Sequence, residues 1–394
     1  MTAGTSLTRR VKRHVIARPH NFYAVAAPGL EDLCARELES LPERVEGITP
    51  DHGGVHFEGR LPAAYAANLH LRTASRVLMR VAAFEAQRFD QLERQTAAIP
   101  WELYLPAAPV RVRAALHNSR LYHSGAAAQR VREAAAARLA AAGAAPSASL
   151  PGASGGDIYL RAANNRFTLS VDSSGPHLHR RGLKTWPGRA PLRETLAAAA
   201  LLLAGYDGRR PLLDPMCGSG TFALEAAAMA KGIPAGWCRE FAFRHWPAFR
   251  PGAWAHLRRQ AAQGLHRLAT PLVLASDHDP AACALLEQGV AAAGLEDAVR
   301  VDCRDFLATH AADLPLEKGL VALNPPYGRR LGNADQGREV FRAVAGQLRT
   351  EFRGWRAVVV VPERTLIALL PNPLRVQAVH HGGLHVHLAV VDIP

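Results

Sequence analysis

Four scarcities narrow the sequence before any motif is read. No apolar run approaches the roughly 20 residues that a membrane-spanning helix needs, and the longest candidate, residues 196–204, reaches about half of that. Cysteine is sparse: Cys34, Cys217, Cys238, Cys283 and Cys303 are odd in number, scattered and free of any Cys-x-x-Cys pair. That argues against a disulfide framework or a zinc site and fits a reducing cytoplasm. Lysine occurs only at Lys12, Lys184, Lys231 and Lys318. Acid is also short, with 34 Asp and Glu against 47 Lys and Arg, a formal net charge of +13. The excess is therefore carried by arginine. It points to a polyanionic partner, although an arginine-rich compositional habit accounts for the same imbalance.

What is present is ordinary in bulk. At 394 residues the chain has length for two or three domains, and 48% apolar with 21% charged residues is a globular composition. Residues 1–20 carry Arg9, Arg10, Lys12, Arg13 and Arg18, no acid and no apolar signal core. They read as a solvated tail or as an arm that touches phosphates. A small α+β unit follows: the run 22–26, the Pro28-Gly29 turn, a helix marked by Leu30, Leu33, Leu38 and Leu41, a Gly53-Gly54 hairpin, a helix 63–71 and a strand 75–81. A second module, from about 85 to 182, holds a strand 110–114, an alanine-dominated helix 125–142, a Pro/Ser/Gly loop 146–156, and strands 158–161 and 167–171 about an Asn164-Asn165 turn. Beyond Pro191, the helix 192–203 and short apolar strands at 272–276, 299–301, 320–323 and 357–361 alternate with helices, which predicts a parallel, doubly wound sheet. Residues 376–380 and 385–391 about Gly382-Gly383 predict a closing antiparallel hairpin.

The strongest chemical feature is Leu212-Leu213-Asp214-Pro215-Met216-Cys217-Gly218-Ser219-Gly220-Thr221. A strand ends in an acid, a glycine loop follows, and Thr221 starts a helix carrying Glu225. Glycines let backbone approach a ligand closely, and the first turn after a parallel strand is where such sheets hold nucleotides. The loop is not Gly-x-Gly-x-x-Gly and no lysine opens the helix, so it is no triphosphate P-loop. Asp214 repels a pyrophosphate but attracts an ammonium group, which suits the amino-acid moiety of S-adenosylmethionine. The next strand ends in Asp277-His278-Asp279, where an acid can hydrogen-bond both ribose hydroxyls. Asp277 is the first choice and Asp279 the reserve, a helix N-cap being its plainer role. Asp277 follows Gly220 by far more than the roughly 20 positions of dinucleotide-binding folds. The excess is the segment 232–266, with Trp237, Trp246 and Trp254, either a substrate-facing insertion or a self-packed aromatic cap. After the third strand Asp305 is favoured to bind an adenine amino group, with Asp302 as the strand-end alternative.

The fourth strand ends in Asn324-Pro325-Pro326-Tyr327-Gly328. Two prolines fix the backbone and remove two donors. Asn324 Oδ1 and the Pro325 carbonyl are thereby set to accept hydrogen bonds from one exocyclic amino group, aligning its nitrogen lone pair with a sulfonium methyl. Tyr327 is placed to stack on the base.

These two motifs, Asp214 to Thr221 and Asn324-Pro325-Pro326-Tyr327-Gly328-x-Arg330, resemble the class I S-adenosylmethionine-dependent methyltransferases that modify exocyclic nitrogens. More narrowly, the chain resembles the THUMP-domain RNA methyltransferases, the group that holds the bacterial 23S rRNA guanine-N2 methyltransferases. Ala27-Pro28-Gly29-Leu30-Glu31 and Asn68 to Arg76 resemble that group's ferredoxin-like unit. Ser119 to Gly125 resembles its THUMP domain, and Asp172 to Gly182 with Ala190 to Glu194 resemble its link into the catalytic part. The resemblance implies an α/β, Rossmann-like class I methyltransferase domain at 183–394, preceded by an α+β ferredoxin-like domain at 21–84 and a THUMP RNA-binding domain at 85–182, behind a basic tail at 1–20. It implies S-adenosyl-L-methionine held by Asp214, Pro215, Cys217, Gly218, Ser219, Gly220, Thr221, Asp277, Asp279, Asp305 and Asn324. Asn324, Pro325, Pro326 and Tyr327 are the implied catalytic residues at the target base.

The implied partner is structured RNA, 23S rRNA or a pre-ribosomal particle before tRNA, gripped through phosphates and shape. Arg111, Arg113, Arg120, Arg130 and Arg132 are the candidates, a solvated surface arginine being the alternative for each. The target guanine has to leave its stack. Its N2 lone pair is delocalised into the ring, so positioning and desolvation carry the chemistry without a strong base. Enterobacterial relatives continue into a second methyltransferase domain while this sequence ends at Pro394, so no second activity is expected. His177-x-His179 and His385-x-His387 read as a basic loop and a strand alternation, so no metal is expected. Adenine-N6 DNA methyltransferases and protein glutamine methyltransferases share Asn-Pro-Pro-Tyr, but the THUMP-like first half argues against both. A non-catalytic ribosome-assembly factor with a vestigial cofactor fold is disfavoured by the intact glycine loop and the Asn324 to Tyr327 motif.

Overall fold

The computed structural model describes residues 6–106, 108–143, 156–184, 192–326, 334–381 and 383–394. In chain order its elements are α1 (Leu7–Val11), β1 (His20–Val25), α2 (Glu31–Glu39), β2 (Glu46–Asp51), β3 (Gly54–Gly59), α3 (Leu61–His70), β4 (Arg76–Glu85), α4 (Phe89–Ala98), β5 (Arg111–His117), α5 (Ser124–Ala141), β6 (Asp157–Ala163) and β7 (Arg166–Asp172). Then come α6 (Glu194–Leu203), β8 (Leu212–Asp214), α7 (Thr221–Ala230), α8 (Pro251–Ala262), β9 (Val273–Asp277), α9 (Pro280–Ala292), β10 (Val299–Cys303), β11 (Leu320–Leu323), α10 (Ala334–Glu351), β12 (Arg356–Val361), β13 (Pro373–His381) and β14 (Leu384–Asp392). The chain divides into two compact units. Met1–Val25, Ala35–Leu178 and Glu240–Arg259 form the first; Ala26–Cys34, His179–Arg239 and Gln260–Pro394 form the second.

The first unit is built on a seven-stranded sheet of order β2-β3-β1-β4-β7-β6-β5. β4 is the reason that one sheet stands where the sequence pattern separates two modules. Its first residues pair with β1 and the strand then runs on, antiparallel to β7, as far as Glu85. The β6–β7 hairpin turns at Asn164 and Asn165, both in the left-handed region (φ 51° and 65°), as a two-residue turn matching strand twist requires. β5 lies parallel to β6, a pairing that needs a crossover, and α5 supplies it. Strand alternation buries Phe22, Val77, Met79, Ile158, Phe167 and Leu169 on one face, and α3 and α5 pack against the strands.

Two segments differ from their sequence reading. The basic N-terminal segment is not a solvated tail: α1 continues into a π-helical turn, Lys12–Ile16. Val11 and Val15, four residues apart, give it a buried stripe, and Arg10 pairs with Glu102 at 2.6 Å. The aromatic part of the 232–266 segment joins the first unit. Its rings pack on one another as a cap does, but around Tyr65 of α3: Phe243 stacks on Tyr65 with centroids 4.3 Å apart, and Trp254 meets Phe243 edge-on at 5.2 Å.

The second unit has strand order β10-β9-β8-β11-β12-β14-β13. β10, β9, β8, β11 and β12 are parallel neighbours, and β14 and β13 close the edge as the expected antiparallel hairpin. Apolar side chains on both faces of the central strands make two cores. Leu212, Val273, Ala275, Leu320, Ala322 and Val358 pack with α6, α7 and α9; Leu213, Leu274, Val321, Leu323 and Val359 pack with α10. This is the doubly wound architecture the strand–helix alternation predicts. Residues 26–34 also belong here, since the Pro28 carbonyl accepts the His380 N–H at 3.1 Å. A side chain at Gly29 (φ +96°) would overlap the Ala378 carbonyl at 2.1 Å.

Candidate active site

In the second unit the strand order reverses between β8 and β11, each parallel to the other, and such a switch point leaves a crevice at the carboxyl ends of the strands. The glycine loop leaves β8 on one side of it, and Asn324-Pro325-Pro326 leaves β11 on the other.

The loop owes its shape to its glycines and to two acids. Gly218 (φ +49°) and Gly220 (φ +74°) both adopt the left-handed region. A Cβ on Gly220 would stand 2.2 Å from Leu286 Cδ1 of α9, so only glycine allows this packing; a Cβ on Gly218 would meet nothing within 4 Å among the described residues. The loop is therefore pressed onto the core at Gly220 and open at Gly218. Asp277, at the end of β9, accepts the Gly218 N–H through Oδ2 at 2.9 Å and the Asp279 N–H through Oδ1 at 3.1 Å. The Cys217 N–H donates to the Ser276 carbonyl at 2.9 Å. Asp214 is buried beneath the loop and accepts the Ala223 N–H at 3.1 Å, tying down the first turn of α7. Burial, reinforced by the nearby Asp277 charge, raises the Asp214 carboxyl to about 8 despite that hydrogen bond. Burial also pushes the Cys217 thiol up, which removes it as a nucleophile. Pro215 and Thr221 are buried in the same loop.

The remaining acids have local structural roles. Asp279 caps α9 by accepting the Ala281 N–H at 2.9 Å, its plainer reading. Asp305 caps the short 3₁₀ turn Phe306–Ala308 through the Leu307 N–H at 2.9 Å, with its side chain exposed. Asp302 sits between Arg300 and Arg304, 3.0 Å from each.

At the end of β11 the strand Leu320–Leu323 is wholly buried and Pro325 is buried beyond it. Asn324 Oδ1 is a buried acceptor with no hydrogen-bond partner among the described residues. A buried polar atom left unpaired is costly, and one at a switch-point crevice is placed to accept a ligand's N–H. Tyr327 lies outside the described residues.

Two contacts escaped the sequence reading. Lys184 Nζ donates to Ser219 Oγ at 2.6 Å, placing a cation on the glycine loop. Arg181 and Glu225 form an ion pair at 2.9 Å with side chains only 4% and 2% exposed, holding α7 from the preceding segment. The available signal was the basic run 180–184, which contains one of the chain's four lysines. Of the five arginines expected at RNA, Arg111 and Arg113 alternate with the partly buried Val112 and Ala114 on β5, near Asp157 at 2.8 and 3.8 Å. Arg120 donates to Gln87 at 3.0 Å, Arg130 pairs with Glu93, and Arg132 is exposed on α5. The structure therefore spreads these five over a strand, a loop and a helix.

With this geometry in place, the comparisons with known proteins fall into line. The model of the RMKL-like methyltransferase domain matches residues 181–389, and that of the RlmL ferredoxin-like domain matches residues 21–78. The chain is 38% identical over 390 residues to a ribosomal RNA large subunit methyltransferase K/L of Syntrophotalea carbinolica, covering 95% of this chain and 54% of that protein. It is 32% identical over 372 residues to a putative RNA methyltransferase of Synechocystis sp., covering 92% and 94%. It spans about half the length of the K/L relatives it matches. Among solved structures, the putative methyltransferase SMU.472 complexed with SAH superposes with a TM-score of 0.84 at 26% identity, over 96% of this chain and 99% of that one. The chain belongs to the family of the RMKL-like methyltransferase domain and has a class I methyltransferase fold.

Proposed function

We propose that the protein uses S-adenosylmethionine to methylate the exocyclic N2 of a guanosine in RNA, with 23S rRNA as the first candidate. The observation that carries this reading is the buried Asn324 Oδ1, without a hydrogen-bond partner among the described residues, at the switch-point crevice. An acceptor desolvated there and flanked by prolines, which bring no competing N–H, matches an amino group as donor. The rRNA assignment draws on the K/L relatives, named as ribosomal RNA large subunit methyltransferases, and the cofactor on SMU.472, whose structure holds SAH.

The chain's own residues divide the work. Lys184, held on the glycine loop through Ser219, matches the carboxylate of a free amino acid, and Asp214 beneath the loop matches its ammonium, which favours the ionised carboxylate once it is bound. Asp277 uses two acceptor sites on backbone N–H groups and has His278 Nδ1 at 3.2 Å from Oδ1; of the about four sites of a carboxylate, this leaves capacity on Oδ2 for a ribose hydroxyl. The open side at Gly218 allows close approach of the loop backbone, with Pro215, Cys217, Ser219, Gly220 and Thr221 setting its path. Asp279 and Asp305 are assigned to the cofactor at the rim. The bound cofactor supplies an electrophilic methyl on its sulfonium. Asn324 Oδ1 and the Pro325 carbonyl hold the amino group so that its lone pair is directed rather than averaged, Pro326 stiffens the turn, and Tyr327 stacks on the base. We assign RNA capture to residues 85–182, including Arg111, Arg113, Arg120, Arg130 and Arg132, and methyl transfer to residues 183–394.

Incubation with labelled S-adenosylmethionine and total RNA, DNA or protein, followed by nucleoside analysis, tests the reading. N2-methylguanosine in large-subunit rRNA is expected. Label in tRNA overturns the rRNA assignment, N6-methyladenosine overturns the base, and no label in RNA overturns the function.

A further inference from the structure

In the first unit, residues that alternate with the buried core positions of five neighbouring strands face the other side of the sheet. Tyr23, Arg80, Ser170, Tyr159, Arg161 and Arg113 are among those lining a cleft there of about 340 Å³, and no Asp or Glu takes part in the lining. The register sets Arg80 opposite Ser170, Ser170 opposite Tyr159, and Tyr159 opposite Arg113. One row across four strands thus carries two arginines and a tyrosine, over roughly 14 Å at about 4.8 Å per strand.

The charges in this cleft are not all balanced from within. Arg76 is matched by the buried Asp172, and Arg113 lies 3.8 Å from Asp157, which Arg111 also holds. Among the described residues no carboxylate stands within 4 Å of Arg80 or Arg161; Asp51 acts on both from farther off, Arg161 hydrogen-bonds Tyr23, and Arg80 Nη2 lies 3.5 Å from His56 Nε2. Arg80 is half-buried, with its guanidinium 4.7 Å from the Tyr23 ring centroid, and its Nε is buried without a hydrogen-bond partner. Taking a guanidinium out of water without an anion is unfavourable, and a bound anion offsets that cost. The floor is apolar, with Leu78 and Ala115, and the half-buried Tyr159 ring stands on it.

We propose that this cleft binds a single-stranded segment of the RNA substrate, with phosphates on Arg80, Arg161 and Arg113 and one base against Tyr159. A positive rim over an apolar and aromatic floor is the arrangement that grips an unpaired strand, whose bases have free faces. A duplex presents phosphates outward and has no base face to insert. The proposal rests on the RNA-methyltransferase reading above and extends it to how the substrate is held.

The test is fluorescence anisotropy of the full-length protein with a labelled, unstructured RNA of about 12 nucleotides, its blunt duplex, and GMP as competitor. The single strand should bind more tightly than the duplex. Replacing Arg80→Ala and Arg161→Ala together should weaken single-strand binding about tenfold or more and lower the log–log salt slope by about 1.4, two phosphate contacts at about 0.7 each. Arg161→Ala alone, at an exposed position, should act in the same direction without risk to folding. Tyr159→Leu should weaken binding while Tyr159→Phe, which keeps a ring under Arg76 as well as for a base, retains it. Arg94→Ala on α4 should change nothing, and SAH affinity should be unchanged throughout. Unaltered single-strand affinity in the arginine variants overturns the proposal. So do equal losses on strand and duplex, and so does displacement by GMP at matching affinity, which marks a mononucleotide pocket. Wild-type protein that binds RNA but places no methyl on it sinks the proposed function, whichever way the anisotropy falls.

Discussion

Both units rest on seven-stranded sheets, but they present their polar chemistry differently. In the second unit the informative groups stand at the carboxyl edge of parallel strands, where Asp214, Asp277 and Asn324 each end or follow a strand. In the first unit they lie along a sheet face, where Arg80, Tyr159 and Arg113 occupy one cross-strand row. An edge site is assembled from loops, so each contributing motif is a few consecutive residues with a strained or unusual backbone. A face site is assembled from alternate residues of ordinary strands, with nothing unusual about any one of them. Sites of the first kind are exposed to single substitutions in the chemistry; sites of the second kind lose affinity by increments.

The sharpest way to break the comparison is Asn324→Ala. Methyl transfer should fall by about 10²–10³-fold, the scale for losing one preorganised hydrogen-bonding group, while RNA affinity stays within about twofold. Parallel loss of RNA binding would show that Asn324 supports the fold instead of holding the amino group.

Next in size is Glu225→Ala, which removes the carboxylate 2.9 Å from the buried Arg181 guanidinium. Urea unfolding should report a loss of about 3–5 kcal/mol, with Glu225→Gln falling between. A loss below 1 kcal/mol would mean that solvent reaches the pair.

The two loop glycines then separate packing from ligand approach. Gly220→Ala collides with Leu286 and carries a strained φ, and should cost about 2 kcal/mol or more of stability. Gly218→Ala meets open space and should cost about 1 kcal/mol, yet weaken SAH binding measured by calorimetry. Similar profiles for both would remove the distinction between the pressed and the open side of the loop.

The smallest effect is a pH dependence. Burial raises the Asp214 carboxyl to about 8, so the folded chain keeps a proton that the unfolded chain releases near pH 4. The stability tied to that proton is present at low pH and is lost as pH rises through 8. A cationic ligand group favours the ionised carboxylate, so SAH affinity should tighten with rising pH, by at most about tenfold per unit, and level off above 8. Asp214→Asn should flatten both profiles. An Asn variant that keeps the wild-type slope would place the titrating group elsewhere.

Much of the second unit was legible in advance because its signals are local. The glycine loop after an acid-terminated strand, the strand–helix alternation and Asn-Pro-Pro each occupy consecutive positions. The first unit was read less well for a physical reason. β4 serves two ladders at once, and which strands share a ladder is set by long-range pairing that local pattern does not encode. Val11 and Val15 form a stripe too short to distinguish a packed helix from a tail without the surface it meets. Lys184 reads in the sequence only as one lysine of a basic run, because its partner, Ser219, lies 35 positions on and only folding brings it round.

The sequence by itself determined the class I methyltransferase core, the glycine loop and the Asn-Pro-Pro turn, because backbone freedom at glycine, its restriction at proline and strand periodicity act over a few residues. Only the tertiary structure decided that Asn324 Oδ1 is buried without a partner among the described residues and that Asp214 is desolvated. It alone joined two modules in one sheet, turned the aromatic segment around Tyr65, and left Arg80 in a cleft without a carboxylate. Each of these depends on solvent exclusion by residues far apart in the chain, and burial is a property of the assembled fold.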